Sequence, residues 1–304
     1  MPRPIIAALL CTLLAPVLPA IAGPLDSFTV DYEGGALHIG QNDGRYGANG
    51  TPYTADTVAQ NANLLFAQRF SGEARFWGRH TVILLYAPLD TTTRVTLANP
   101  LTFRDTTFPA GSVVDSRYLL DGLRASYLYR FYDGFGFSAE GGASLQVRNA
   151  QVAFSAVNGS LAAAERDIGL VPALKLRVRY DMPHGVYALW DADGLTTLGI
   201  SSVQGAILDT ALSLGIPLQP GWDVVLRARY VAGGAEVPKR DASNWAQFGE
   251  LAAGFRIDLV KLLNKASPGV MVDPGASGAE SPGSGQQAAI PHDESSHPEG
   301  VAKE

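Results

Sequence analysis

The chain has 304 residues, 46% of them hydrophobic, with 33 glycines, one cysteine and a formal net charge of −6. That charge argues against a nucleic-acid surface, and nothing in the composition points to a cytoplasmic enzyme. Beyond the first residues, no segment offers the roughly 18 consecutive apolar residues that a membrane helix needs.

The N-terminus carries Arg3, an apolar run from Ile5 to Leu18 interrupted by Pro16, and then the small-residue site Ala20-Ile21-Ala22. This is the pattern of a secretory signal peptide over residues 1–22. Cys11 falls inside it, so the mature chain is expected to hold no disulfide. An exported chain without disulfides must be held together some other way, and a closed sheet does so by pairing every backbone donor and acceptor.

From residue 23 to 260 the chain alternates with period two, the signature of β-strands. The alternation is clearest from Leu123 to Arg148. Leu123, Ala125, Tyr127, Tyr129 and Phe131 share one face, and Arg124, Ser126 and Arg130 share the other. After Tyr132-Asp133-Gly134 the next strand repeats the pattern, with Phe135, Phe137, Leu145 and Val147 opposite Ser138, Glu140, Gln146 and Arg148. Strands this long, with aromatics at the turn end and full charges on the polar face, place lipid on one side and a polar lumen on the other.

Extending this reading predicts ten strands: Ser27–Ile39, Asn61–Phe70, His80–Thr91, Asp115–Phe131, Phe135–Ala150, Ile168–Tyr180, Val186–Ala192, Ser202–Ile216, Trp222–Val231 and Trp245–Leu259. Eight is the alternative count, because the second, third and seventh are weakly patterned. Pro88 and Pro172 fall within predicted strands and mark bulges or frayed edges. Tight turns are expected at Ser71–Arg79, Tyr132–Gly134, Asp181–Gly185 and Pro217–Gly221. Long loops are expected at Gln41–Gln60, Thr91–Asp115, Ala150–Asp167, Asp193–Ser202 and Gly233–Asn244. An all-β, closed, antiparallel up-and-down transmembrane barrel follows, with short periplasmic turns, longer outer loops and both termini in the periplasm. Trp77, Tyr129, Phe131, Phe135, Tyr180 and Trp222 gather near the short turns as an aromatic girdle. Residues 261–304, rich in Pro, Gly, Ser and Gln, read as a disordered periplasmic tail.

The strand phases turn a set of charges inward. They are Asp31, Glu33, Arg69, Arg124, Arg130, Glu140, Arg148, Lys175, Arg177, Arg179, Asp191, Asp209, Arg227, Arg229, Glu250, Arg256 and Asp258, ten basic against seven acidic. Two signs in a narrow interior pair, because an unpaired buried charge costs several kcal/mol. The favoured reading is a salt-bridged filling, and a narrow, mildly cationic pore is the alternative. No phosphate loop, zinc spacing or dinucleotide motif occurs, so no catalytic residue, metal or cofactor is assigned. His38, near the outer rim, is the only histidine placed for a rim enzyme, with Asp43 and Asp56 in the loop that follows it.

The hairpin, the leader and the closing strand Gly254-Phe255-Arg256-Ile257-Asp258-Leu259 together resemble the small outer-membrane β-barrel proteins of Gram-negative bacteria, in the broad OmpA/OmpX/OmpW-like sense. The resemblance implies an outer-membrane location, outer-membrane lipid and the barrel assembly machinery as partners, and a monomer. It carries no functional residue. The closing strand departs from the terminal assembly signal at Ala252 and is followed by a tail. The functional expectation is a structural, surface-interaction or limited-permeability role. A narrow channel for small anionic or amphipathic solutes is the alternative, ahead of a rim enzyme or a soluble lipocalin-like carrier.

Overall fold

The computed structural model describes residues 25–62, 64–197 and 203–266. The predicted signal peptide and nearly all of the predicted tail therefore lie outside the described residues. Within them runs an antiparallel sheet of β1 (Leu25–Tyr46), β2 (Leu65–Phe76), β3 (His80–Tyr86), β4 (Leu89–Thr96), β7 (Val113–Gly134), β8 (Phe137–Ala156), β9 (Ala162–Asp181), β10 (Tyr187–Thr196), β11 (Gln204–Gln219), β12 (Trp222–Val237) and β13 (Ala242–Asp258). A small hairpin of β5 (Leu101–Phe103) and β6 (Thr106–Phe108) stands apart from it. β3 and β4 pair with β7 in one register, Tyr86↔Leu123 and Leu89↔Leu120, so they are one wall strand interrupted at Ala87-Pro88. Ten wall strands result, and β1 pairs with β13 from Thr29↔Asp258 to Tyr46↔Ala242 to close the barrel.

Several boundaries differ from the sequence reading, nearly all toward longer strands. β2 runs to Phe76, so most of the segment expected as a turn from Ser71 is wall. β8 reaches Ala156 and β9 begins at Ala162, leaving a short turn where a long loop was expected, and β12 and β13 likewise extend to Val237 and from Ala242. Above the membrane-type alternation these strands are polar on the outer face and small or apolar inside, a pattern that reads as loop. Residues 261–266, the start of the expected tail, belong to a short helix, α1 (Leu259–Ala266). β9 passes through Pro172 without a register shift against β8. Its pairing with β10 ends at Leu174↔Gly194, so that edge demands no proline N–H.

Two of the hairpins at the short-turn end close through turns in which an aromatic residue and a glycine both take positive φ: Trp77-Gly78 and Phe135-Gly136. This geometry matches the right-handed twist of the flanking strands. It places an aromatic ring at the tip of each turn. Phe137 and Tyr180 stack 4.4 Å apart just inside, and Trp77 meets His80 edge-on at 5.8 Å.

Outward positions form an apolar band. Leu170, Leu174, Leu212 and Leu251 are each 60% or more exposed, beside Leu123, Leu145, Val147, Leu226 and Phe255. At about 3.3 Å per residue and a tilt of about 40°, the stretch of β8 from Phe137 to Val147 spans roughly 25 Å. Above it the outer face turns polar, with Arg117 on Asp90 at 2.8 Å and Arg94 on Asp115 at 2.7 Å.

The buried apolar core lies inside the barrel at the end opposite the short turns. The connection after β1 and the β5–β6 hairpin, expected as free outer loops, fold inward: Tyr53, Ala55, Val58, Phe103 and Phe108 pack against Ile39, Val114, Phe154 and Phe248. Phe154 is fully buried and meets the Phe103 and Tyr53 rings at 5.1 and 5.3 Å. Truncating it leaves a cavity at the junction of both segments. Phe154→Ala should destabilise the barrel by about 3–5 kcal/mol. The loss is expected as a lower temperature for conversion to the unfolded gel form, with faster proteolysis in residues 47–62.

Candidate functional site

Below this lid, the inward residues form a single ion-paired layer across the lumen. Arg177 on β9 reaches Glu73 on β2 at 2.8 Å, Asp191 on β10 at 3.0 Å and Glu140 on β8 at 3.5 Å. Glu140 also receives Arg75 at 3.0 Å and Arg130 at 3.4 Å. Lys175 bridges Asp191 at 2.5 Å and Asp193 at 2.7 Å. Arg124 on β7 joins Asp193 at 2.8 Å to Asp209 on β11 at 3.0 Å, and its other edge is held by Gln146 at 2.9 Å. Arg229 continues from Asp209 at 3.6 Å to Glu33 at 3.2 Å and Glu250 at 3.8 Å. Arg227 lies on Glu33 and Arg256 on Asp31, each at 2.7 Å. Ser144 donates to Asp193 and shares a hydrogen bond with Ser126.

The structure thus brings together Arg124, Arg130, Glu140, Lys175, Arg177, Asp191, Asp209, Arg227, Arg229 and Glu250, with the Arg256–Asp31 pair alongside. It separates two residues expected with them. Arg148 sits higher, on Asp167 at 2.5 Å. Arg179 sits at the short-turn end, on Asp181 at 2.7 Å and over the Tyr187 ring at 3.6 Å. Asp193, Glu73 and Arg75 are central and were missed, having been assigned to a loop and a turn. The signal was present: Arg69, Ser71, Glu73 and Arg75 keep period two beyond Phe70, as do Asp191 and Asp193. Adding Asp193, Glu73 and Arg75 and setting aside Arg148 and Arg179, which pair elsewhere, leaves nine basic against nine acidic side chains, and the mildly cationic wall expected from sequence is corrected to a balanced one.

Of the expected aromatic girdle, Trp77, Tyr129, Phe131, Phe135 and Tyr180 are exposed at the short-turn end, and Trp222 is half-buried there. His38 lies on the outer face, pointing away from the lumen and from any acid within it. No group of three or more metal-ligating side chains occurs among the described residues.

Between the lid and the charged layer is a cavity of about 610 Å³. Its floor is Arg69, Arg124, Asp209 and Glu250, and its walls include Leu37, Leu89, Leu120, Val152 and Ile207. Arg148, Glu165, Asp167 and Arg240 line it as well, so chemically this is an apolar-walled chamber with charged groups at both ends, and no nucleophile is paired to a base.

Charges so linked act as a unit. Removing one carboxylate strands two cations, whereas an exposed pair above the band is screened by water. Asp193→Ala should therefore cost about 3–5 kcal/mol of barrel stability. Arg94→Ala, which breaks the exposed contact to Asp115, should cost under about 1 kcal/mol. Urea titrations followed by tryptophan fluorescence in matched lipid compare the two, and equal losses would contradict the layer as drawn.

No protein-family model and no curated protein matches the chain. Among solved structures it is similar to Ail, the attachment invasion locus protein of Yersinia pestis, there in complex with the heparin analogue sucrose octasulfate. Identity is 11%, over 76% of this chain and 99% of that one, with a TM-score of 0.35. It is also similar to Neisserial surface protein A, at 14% identity over 76% and 96% and a TM-score of 0.33. The toluene transporter TodX of Pseudomonas putida matches at 7% over 78% and 93%, with a TM-score of 0.33. All three are outer-membrane β-barrels.

Proposed function

We propose that this protein is a monomeric outer-membrane barrel that seals its own lumen and works at the cell surface as a structural or interaction element, not as an open pore. The observation that carries the reading is the pairing of an outward apolar band with an interior crossed by cross-lumen ion pairs, Arg177–Glu73 and Arg124–Asp209. Water cannot be the solvent for that band: exposed leucines on neighbouring strands form a continuous apolar surface far larger than a soluble monomer carries. Lipid can be, and a closed ladder is one of the two structures that lipid permits.

The interior argues against a through-channel. Current would have to pass both the apolar lid around Phe103 and Phe154 and a layer in which the cations and carboxylates hold one another. Separating them exposes each charge to the full cost of being buried alone, several kcal/mol per ion. The polar ladders Asp90–Arg117 and Arg94–Asp115, standing above the band, supply the surface that faces outward from the cell.

In cells, the protein should fractionate with the outer membrane and shift on gels after boiling. In planar bilayers it should give no single-channel steps. Recovery as a soluble periplasmic species would overturn the membrane placement, and well-resolved steps from the wild type would overturn the sealed lumen.

A further inference from the structure

At the short-turn end, Arg130 lies on Asp133 at 2.8 Å, Arg179 on Asp181 at 2.7 Å and Lys261 on Asp258 at 3.5 Å. Arg79, in the turn between β2 and β3, has a different partner. Its Nη1 donates to the phenol of Tyr129 at 3.0 Å, and no carboxylate among the described residues forms an ion pair with it. The side chain is exposed, so the rest of its donor fork is open to a partner from outside the chain.

The hairpin sets what stands around this cation. His80 begins β3 opposite Tyr129, and Val82 stands opposite Tyr127. Thr81 and Ile83 are buried toward the lumen, so alternation turns His80, Val82 and Leu84 outward, onto the face that Tyr127 and Tyr129 share. The imidazole Nδ1 is hydrogen-bonded to the Tyr127 phenol at 2.8 Å. Its ring meets Tyr129 edge-on at 5.4 Å and Trp77 edge-on at 5.8 Å. Trp77 holds that position with a positive φ, a region that disfavours bulky side chains. The Gly78 N–H ties the turn to β1 by donating to Asp26 at 2.5 Å.

A guanidinium without a counter-ion, an imidazole and an indole therefore gather on the outside of the wall. Toward the middle of the band lie Val82 and Leu84, each 41% exposed, with the small residues Ala74 and Gly72 opposite them on β2. This apolar track is continuous with the lipid-facing surface. A phosphate diester accepts two parallel hydrogen bonds from an arginine fork. Indole and phenol rings suit the headgroup level, with the apolar body toward the chains and the polar edge toward water.

We infer that the outer face of the β2–β3 hairpin is a seat for one anionic phospholipid, its phosphate on Arg79 beside Trp77 and His80 and an acyl chain along Val82 and Leu84. The inference rests on the membrane placement in the proposed function and not on the sealed lumen. The seat offers a phosphate a cation. To a choline or ethanolamine ammonium it offers no uncommitted carboxylate, since Asp133 holds Arg130 and Asp26 holds the turn.

The test uses the full mature barrel in detergent micelles, titrated with dioleoylphosphatidylglycerol or dioleoylphosphatidylcholine and read by native mass spectrometry. The first phosphatidylglycerol should bind about tenfold more tightly than phosphatidylcholine. Arg79→Gln should bring the two lipids within about twofold of each other. Lys265→Gln, which removes a cation from α1 without touching the seat, should leave the preference intact. Trp77→Gly removes the indole and relieves the positive φ, so it should weaken phosphatidylglycerol about fivefold in a barrel that folds as well as the wild type. The heat-dependent gel shift shows that each variant is folded. Equal affinity for the two lipids, an unchanged preference in Arg79→Gln, or an equal loss in Lys265→Gln would overturn the seat. Inorganic phosphate and glycerol phosphate should not displace the lipid, and displacement by either would overturn the lipid as the occupant. A folded, membrane-inserted barrel without lipid preference would refute this inference and leave the proposed function standing, whereas a soluble species would remove the ground of both.

Discussion

The ladder between β1 and β13 is the contact on which the rest of the molecule depends. It joins the first and last wall strands over seventeen paired positions, with one register shift between Ile39 and Gln41. Without it the sheet would have two long edges, each a row of unmet donors and acceptors that lipid cannot satisfy. With it, each strand has one face committed to the outside and one to the lumen. Every later feature is a consequence of that division. Leucines and phenylalanines can stand fully exposed because lipid is their solvent, and charges can stand inward because a partner lies across the barrel.

Closure also sets how near those partners come. In a barrel of ten strands, long side chains reach the opposite wall, and Arg177 on β9 meets Glu73 on β2. The energetics favour a filled layer over a lined pore. Each guanidinium offers a planar fork of donors, and carboxylates accept at both oxygens, so a mixed layer satisfies itself without trapped counter-ions. Such a layer is poor evidence of exceptional stability, because desolvation offsets much of the attraction. Its effect is to fix which strands stand opposite one another. The upper lumen solves the same space-filling problem in another way, with the apolar side chains of two inward-folded connections.

Much of the wall was legible because the alternation is a local property. A residue two positions from Arg177 must share its face whatever the tertiary fold, and so the inward set could be read from phase alone. The girdle residues were legible for the same reason, since strand ends are local. What failed were the places where local signals conflict. Ser71 to Arg75 reads as turn-like from its small residues, and its alternating charges were overlooked. The outer extensions of β8, β9, β12 and β13 lack apolar outward residues because they stand above the band, and so they resemble loops.

The sequence by itself determined the strand class, a count of ten with eight as the alternative, and the chemical character of each face, since these follow from period two and from the chemistry of lipid and water. Which charge meets which, and that the connection after β1 and the β5–β6 hairpin fold inward, were decided only by the tertiary structure. Cross-lumen distances depend on strand stagger around the whole ring, and no window of sequence contains them.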